Sequence, residues 1–317
     1  MAYLILILGF AALIKGADYF VEGASGIAKI LRLPPILIGL TIVAFGTSAP
    51  EAAVSIKAAI DGSSGIALGN IVGSNIFNIT LIIGITALIF PLAVERETVK
   101  KEIPFALLSS ILLFILIQDV SLSNHYENLL TKTDGLVFLC FFAIFLFYLF
   151  EVAMHSREKT EEEKNDRSIP VGKNVLSTLG GLTAIIIGGD LVVESSITIA
   201  NSLGMSETLI GLTIVAGGTS LPELITSVTA AMKKESEIAV GNIVGSNIFN
   251  ILFVLGVASL ISPIPVESKI FIDAFIMIAF TIMMWIFSRT QHKITRMEGI
   301  ILILSYVVYT TYIIFRN

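Results

Sequence analysis

Two glutamates stand where the sequence is otherwise oily. Glu51 closes the run L-I-G-L-T-I-V-A-F-G-T-S-A-P-E at 37–51, and Glu223 closes L-I-G-L-T-I-V-A-G-G-T-S-L-P-E at 209–223. A charged side chain at the centre of a bilayer costs about 2.5–3.5 kcal/mol on insertion scales, so two kept there point to a function. Carboxylates brought close repel unless a cation joins them or one holds a proton. Ser48 lies three residues before Glu51, and Ser220 three before Glu223, the spacing of a capping box. Pro50 and Pro222 lack the N–H that would close the preceding helical bonds. A helix is therefore expected to end and restart within each run, freeing carbonyls from Ala44 to Thr47 and from Ala216 to Thr219. Open backbone at that depth is tolerated only where it lines a cavity or meets protein partners. The alternative is a structural glutamate that is protonated or serves purely as a helix cap.

A second pattern, G-N-I-V-G-S-N-I-F-N, occurs at 69–78 and again, unchanged, at 241–250. Gly69 and Gly73, like Gly241 and Gly245, form a small-xxx-small face suited to close helix packing. Asn70, Ser74 and Asn78 are spaced by four and share one helix face, as do Asn242, Ser246 and Asn250. These side chains either glue helices together by hydrogen bonds or offer neutral oxygens to a cation beside the glutamates. Glu51 and Glu223 supply up to four oxygens. Thr47, Ser48, Ser74, Asn78 and their counterparts supply several more. Calcium takes about 6–8 oxygens, whereas magnesium demands a tighter octahedron and dehydrates reluctantly. Sodium accepts the same hard ligands. The motifs contain no sulfur or imidazole, which argues against zinc or copper.

The elements that must position these groups are membrane helices. Of 317 residues, 55% are hydrophobic and 14% charged, with mean hydropathy +0.90; roughly 25% charged is usual for a soluble domain. A net charge of -5 leaves no footing for nucleic acid, and the single cysteine, Cys140, excludes an internal disulfide. Apolar runs of membrane-crossing length are expected at 3–31, 36–60, 66–91, 103–119, 134–154, 174–203, 208–232, 238–262, 270–288 and 297–315. The N-terminus lacks a basic leader region, and Lys15, Asp18 and Glu22 interrupt its apolar run, so it is taken as the first helix rather than a cleaved signal. Lys and Arg concentrate in alternate loops, at 29–32, 96–101, 157–173, 233–234 and 289–296. Roughly fifteen fall on one side against four on the other, which puts both termini outside by the positive-inside rule.

The chain repeats itself. Residues 37–84 align with 209–256 without a gap at about 31 of 48 positions. The same offset pairs Asp18 with Asp190 and Glu22 with Glu194; further on, K-T-D-G around Asp134 resembles R-M-E-G around Glu298. The expected fold is therefore an all-α polytopic membrane protein of ten spans in two five-helix repeats, 1–154 and 174–317, joined by a charged cytoplasmic linker at 155–173. The second and seventh spans are broken mid-membrane. Five is odd, so the halves enter the bilayer with opposite orientation, an inverted-repeat plan that brings both motif copies to the midplane. Asp18, Glu22, Asp190 and Glu194 either line a passage or pair near the membrane surface.

The paired G-T-S-x-P-E and G-N-x-x-G-S-N-I-x-N motifs resemble the repeats of the sodium/calcium exchanger family, within the cation/calcium antiporter superfamily, over essentially the whole chain. That resemblance implies a prokaryotic inner-membrane antiporter that exchanges Na⁺ for Ca²⁺ by alternating access, with the first and sixth helices sliding across the rest. It implies Glu51 and Glu223 as the main Ca²⁺ ligands. Thr47, Ser48, Ser74, Thr219, Ser220 and Ser246 would complete the Ca²⁺ and Na⁺ sites, and the Ala44 and Ala216 carbonyls would join a Na⁺ site. Asn78 and Asn250 belong to the same set. Some members carry Asp where this chain has Asn250, and potassium-dependent members tend to carry an acid there, so Asn250 argues against K⁺ co-transport. Proton/calcium exchangers tend to place Glu in the corresponding third and eighth helices, so the asparagines favour Na⁺ over H⁺.

Two other classes fit less well. A membrane enzyme would need a base, yet His125, His155 and His292 lie outside the apolar spans and no H-E-x-x-H occurs. A passive cation channel would show flux without any opposing gradient. Ca²⁺ and Na⁺ are expected as cargo and the lipid bilayer as surroundings, with no cofactor and no obligatory protein partner.

Overall fold

The computed structural model describes residues 2–62, 64–118, 128–160, 171–202 and 216–316. It is built of helices: α1 (Ala2–Leu31), α2 (Pro35–Thr47), α3 (Ala49–Ile60), α4 (Ile66–Ile89), α5 (Glu102–Leu116), α6 (Lys132–Thr160), α7 (Val171–Ser202), α8 (Ala216–Thr219), α9 (Leu221–Met232), α10 (Ser236–Ile261), α11 (Ser268–Arg289) and α12 (Arg296–Arg316). Among the described residues, seven of these are long and apolar enough to cross a membrane, and eight if the bent pair α2–α3 counts as one span. The chain is an integral membrane protein. The expected spans at 103–119 and 208–232 fall on α5 and on α8–α9; residues 119 and 208–215 lie outside the described residues. The expected linker begins inside α6, which continues to Thr160 because S-R-E-K-T keeps good helix formers beyond the apolar stretch; residues 161–170 lie outside the described residues.

Burial sorts the helices into two classes. The most apolar windows of α4 and α10 are 78% and 83% buried, against 17–33% for those of α1, α6, α7, α11 and α12. The two copies of G-N-I-V-G-S-N-I-F-N thus form the centre. Around them the outer helices turn side chains such as Phe147 and Phe315 outward, as a lipid solvent allows. Helix α10 packs on α2 and α9, α4 on α3, α11 on α4 and α5, and α6 and α12 on the far ends of α10 and α4 respectively.

Small residues set close approaches between helices. Helices α1 and α7 run antiparallel along their length, Gly9 facing Gly188, Gly16 facing Gly181 and Gly23 facing Thr178. A Cβ on Gly16 would sit 2.9 Å from the Gly181 carbonyl oxygen. Where α2 crosses α10, a Cβ on Gly39 would lie 2.8 Å from the Ile238 carbonyl oxygen.

The predicted break in the second span is present: α2 and α3 meet at Ser48 with a bend of 50°. Ser220 separates α8 from α9 with nearly the same backbone angles, φ -91 and ψ 6 against -82 and 6. The sequence did not announce the wider π-helical turns, which among the described residues lie at Gly39–Val43, Asn78–Ile82 and Phe249–Leu255. Such turns rotate the side chains around them and recur at functional sites. Asn78 opens one and Asn250 lies in another.

Two short antiparallel pairs tie the halves together. β1 (Leu92–Ala93) pairs with β4 (Lys293–Ile294), and β2 (Leu129–Leu130) with β3 (Ile264–Pro265). Reciprocal capping boxes start α6 and α12. Thr131 N–H donates to Asp134 at 2.7 Å while Asp134 N–H reaches back to Thr131 Oγ1, and Thr295 and Glu298 repeat this. These are the K-T-D-G and R-M-E-G stretches noticed in the sequence.

Candidate cation site

The serines of the two broken helices do not cap their own helices. Neither Ser48 nor Ser220 makes a side-chain cap bond, which corrects the capping-box expectation. Instead each hydroxyl crosses to the other motif. Ser48 Oγ donates to Glu223 Oε1 at 2.9 Å, and Ser220 Oγ to Glu51 Oε1 at 3.0 Å. The hydroxyl hydrogen that a capping box would leave unused thus goes to the carboxylate of the other half. Ser220 Oγ also lies 3.3 Å from Ser74 Oγ.

The carbonyl expectation needs a correction as well. Ala44 O still accepts the Ser48 N–H at 3.0 Å and the Ser246 hydroxyl at 3.5 Å. The carbonyl whose helical donor Pro50 removes is four residues back, at Gly46, and for Pro222 it is Gly218. Ala216 opens α8; its side chain lies outside the described residues.

Every other predicted residue but Thr219, which is half-buried, is buried. Glu51 is 1% exposed and Glu223, Thr47, Ser48, Ser220, Ser246 and Asn250 are 0% exposed, with Ser74 and Asn78 nearly so. The asparagine face divides between the two roles. Asn70 and Asn242 are glue: their amides donate to Ser55 and Ser227 at 2.9 Å each, and to the Glu51 and Glu223 carbonyls at 3.4 Å each. Thr47 Oγ1 then donates to Asn242 Oδ1 at 2.9 Å. Thus Asn70 and Asn242 brace the glutamate-bearing helices from behind.

Asn78 and Asn250 take the other role. Each spends its amide N–H on a neighbour, while its oxygen has no hydrogen-bond partner. The same holds for Oε2 of Glu51 and of Glu223. Four buried oxygens, two carboxylate and two amide, are therefore unpaired within the protein. Buried acceptors are seldom left so, and all four are hard donors of the kind Ca²⁺ and Na⁺ take. Among the described residues no group of three or more His, Cys, Asp and Glu is placed to hold a metal.

Asn75 and Asn247 were missed. They bond reciprocally, each to the other's backbone carbonyl, and each accepts the amide of Asn250 or Asn78. Both lie in the repeated motif but one residue off the face spaced by four. Their signal was the i, i+3 relation of Asn75 to Asn78 and of Asn247 to Asn250.

The remaining intramembrane acids stay apart from this cluster. Asp18 pairs with Lys15 at 3.6 Å and Lys233 at 3.5 Å. Glu22, Asp190 and Glu194 are exposed on α1 and α7.

Known proteins share this architecture. The family profile described as Sodium/calcium exchanger protein matches residues 1–151 and 173–315. The chain is 40% identical over 326 residues to a putative antiporter, CaxA, of Alkalimonas amylolytica, covering 100% of this chain and 99% of that protein. It is 36% identical over 340 residues to the sodium/calcium exchanger MaX1 of Methanosarcina acetivorans, covering 97% of each. Among solved structures, the sodium-calcium exchanger NCX_Mj soaked with zero Na⁺ and Ca²⁺ matches with a TM-score of 0.83 at 31% identity, over 98% of both chains. Profile, relatives and fold agree over both halves, motifs included, and the chain belongs to the sodium/calcium exchanger family.

Proposed function

We propose that this protein is a Na⁺/Ca²⁺ antiporter that binds its ions among Thr47, Ser48, Glu51, Ser74, Asn78, Thr219, Ser220, Glu223, Ser246 and Asn250, with the Ala44 and Ala216 carbonyls. The observation that carries this reading is the set of four unpaired oxygens beside the crossed serine–glutamate pairs. Two ionised glutamates carry a charge that one Ca²⁺ balances, and Na⁺ ions compete for the same oxygens. An unloaded site would carry two buried negative charges through the membrane, which is costly. That penalty favours exchange over leak.

Ten spans in two inverted five-helix halves, 1–154 and 174–317, suit the duplicated sequence and the crossed contacts. The broken pairs α2–α3 and α8–α9 would meet at the midplane, where inverted-repeat transporters hold their cargo. The loop bias in Lys and Arg supports an inner-membrane protein with both termini outside and the 155–173 linker in the cytoplasm. Access would alternate as α1 and α7 slide together over the rest, and the downhill entry of Na⁺ would drive Ca²⁺ outward.

The test is radioactive Ca²⁺ uptake into proteoliposomes under separately imposed Na⁺, K⁺ and H⁺ gradients. Uptake driven by an outward Na⁺ gradient alone, and lost in Glu223→Gln, is the expected result. Uptake driven by a proton gradient without Na⁺ would make the protein an H⁺/Ca²⁺ antiporter. Ca²⁺ flux with no opposing gradient would make it a passive channel.

A further inference from the structure

We infer that Asn75 and Asn247 are positioning residues that fix which atom of Asn250 and of Asn78 faces the ions. This rests on the site proposed above and deepens it. An asparagine amide is nearly symmetric in shape but not in charge; turned one way it offers a cation an oxygen, and turned the other way it offers N–H donors that repel it. Something must choose.

A chain of bonds that begins at the backbone makes the choice. Asn75 Nδ2 lies 3.2 Å from the Asn247 carbonyl oxygen, and Asn247 Nδ2 lies 3.4 Å from the Asn75 carbonyl oxygen. A carbonyl can only accept, so each of these side chains must present its nitrogen there. That turns Asn75 Oδ1 toward Asn250 and Asn247 Oδ1 toward Asn78. An oxygen can only accept as well, so Asn250 and Asn78 must answer with Nδ2, at 3.2 and 3.0 Å. Their own oxygens are then left over, and both are buried and unpaired. Polarity passes in three steps from a backbone carbonyl to a ligand oxygen. The wiring crosses between the two central helices: Asn75 on α4 sets Asn250 on α10, and Asn247 on α10 sets Asn78 on α4. Both positions are amides that cannot ionise, so the charge of the site comes from Glu51 and Glu223 alone.

The crossing makes the inference testable by double-mutant cycles. Ca²⁺ dissociation constants are measured by equilibrium dialysis on the purified full-length protein. Asn75→Leu should weaken Ca²⁺ binding about threefold to tenfold, the worth of one ordinary hydrogen bond. In an Asn250→Ala background, where no amide is left to orient, Asn75→Leu should have no further effect. In an Asn78→Ala background its full effect should return. Asn247→Leu should show the opposite pattern, silent with Asn78→Ala and fully expressed with Asn250→Ala. Asn75→Ser and Asn247→Ser serve if the leucine variants do not fold, since serine keeps a polar group but is too short to hold the neighbouring amide. Effects that add equally in both backgrounds would reduce these residues to packing and overturn the inference. Wild-type protein that binds Ca²⁺ but shows no Na⁺-driven uptake would refute the exchange reading while leaving the cycles decisive. Wild-type protein that binds no Ca²⁺ would overturn both.

Discussion

Ser48 donates to Glu223 across the centre of the molecule, and Ser220 donates to Glu51 by the matching path. Each glutamate is thus held by the other half's serine, three residues before that half's own glutamate. Neither half can build the site alone. Replacing Ser48 by Ala removes a hydrogen bond to a charged group, and Ca²⁺ affinity should fall about tenfold or more. Ser220→Ala should cost more than Ser48→Ala, because Ser220 also reaches Ser74. Initial rates of Ca²⁺ uptake against Ca²⁺ concentration measure both; equal, small effects would mean that the crossed bonds do not shape the site.

Glu51→Gln and Glu223→Gln keep the size of each side chain and remove a charge. A divalent cation then faces a single carboxylate, which leaves it underneutralised in a buried setting. Ca²⁺ uptake should drop by roughly a hundredfold or more in each variant, the equivalent of about 3 kcal/mol of lost binding. Near-normal uptake in either one would take that residue out of the site.

These groups were legible in the sequence to different depths. The breaks at Ser48 and Ser220 could be read because proline removes a donor whatever surrounds it. The two glutamates could be read because the cost of burying charge does not depend on the fold. The partners of the serines could not: a capping box and a crossed hydrogen bond share the spacing S-x-P-E, and only the approach of the other half decides between them. The spacing of 70, 74 and 78 by four shows one shared helix face but not which asparagine is glue and which is ligand. Yet Asn70 looks back to Ser55 while Asn78 opens a π-helical turn, and that turn left no mark in the periodicity. True capping boxes were present at Thr131–Asp134 and Thr295–Glu298, where the sequence showed only a weak likeness between the halves.

Position 250 gives a prediction about pH. The Asn250 amide donates to Asn75 Oδ1 at 3.2 Å, and the Asn247 carbonyl prevents Asn75 from turning its nitrogen that way. In Asn250→Asp only the protonated side chain can make this bond. Protonated, it resembles Asn and leaves the site at two negative charges. Ionised, it adds a third charge that attracts Ca²⁺ more strongly. Ca²⁺ affinity in Asn250→Asp should therefore fall as pH falls, along a steeper curve than in the wild type. Uptake measured from pH 6 to pH 9 (about three units, bracketing the usual working range) tests this. Superimposable wild-type and variant profiles would mean that position 250 does not face the ions.

The two ends of the molecule are not equivalent, although their sequences repeat. At one end α1 is fastened to the turn between α9 and α10: Lys233 Nζ donates to the Asp18 carbonyl at 2.7 Å and lies 3.5 Å from its carboxylate, and Ser25 Oγ donates to Glu235 at 2.7 Å. At the repeat offset, Asp61 and Ser63 stand where Lys233 and Glu235 do, and Ile197 stands where Ser25 does. The repeat therefore matches the Asp18–Lys233 pair with two acids, Asp190 and Asp61, and the Ser25–Glu235 pair with an isoleucine that has no hydroxyl to donate. Asp61 pairs instead with Lys57 on its own helix, at 2.8 Å. If α1 slides during transport, the Lys233 end carries this fastening to break. Exposed ion pairs are worth about 0–1 kcal/mol, so the bias is up to about fivefold in population. Lys233→Ala combined with Glu235→Gln should speed hydrogen–deuterium exchange across residues 18–31, whereas Lys57→Ala, whose bond lies within one helix, should not. Equal exchange in both variants would show that the fastening carries no weight, and that any preference for one open end must arise in the packing of α1 against α7.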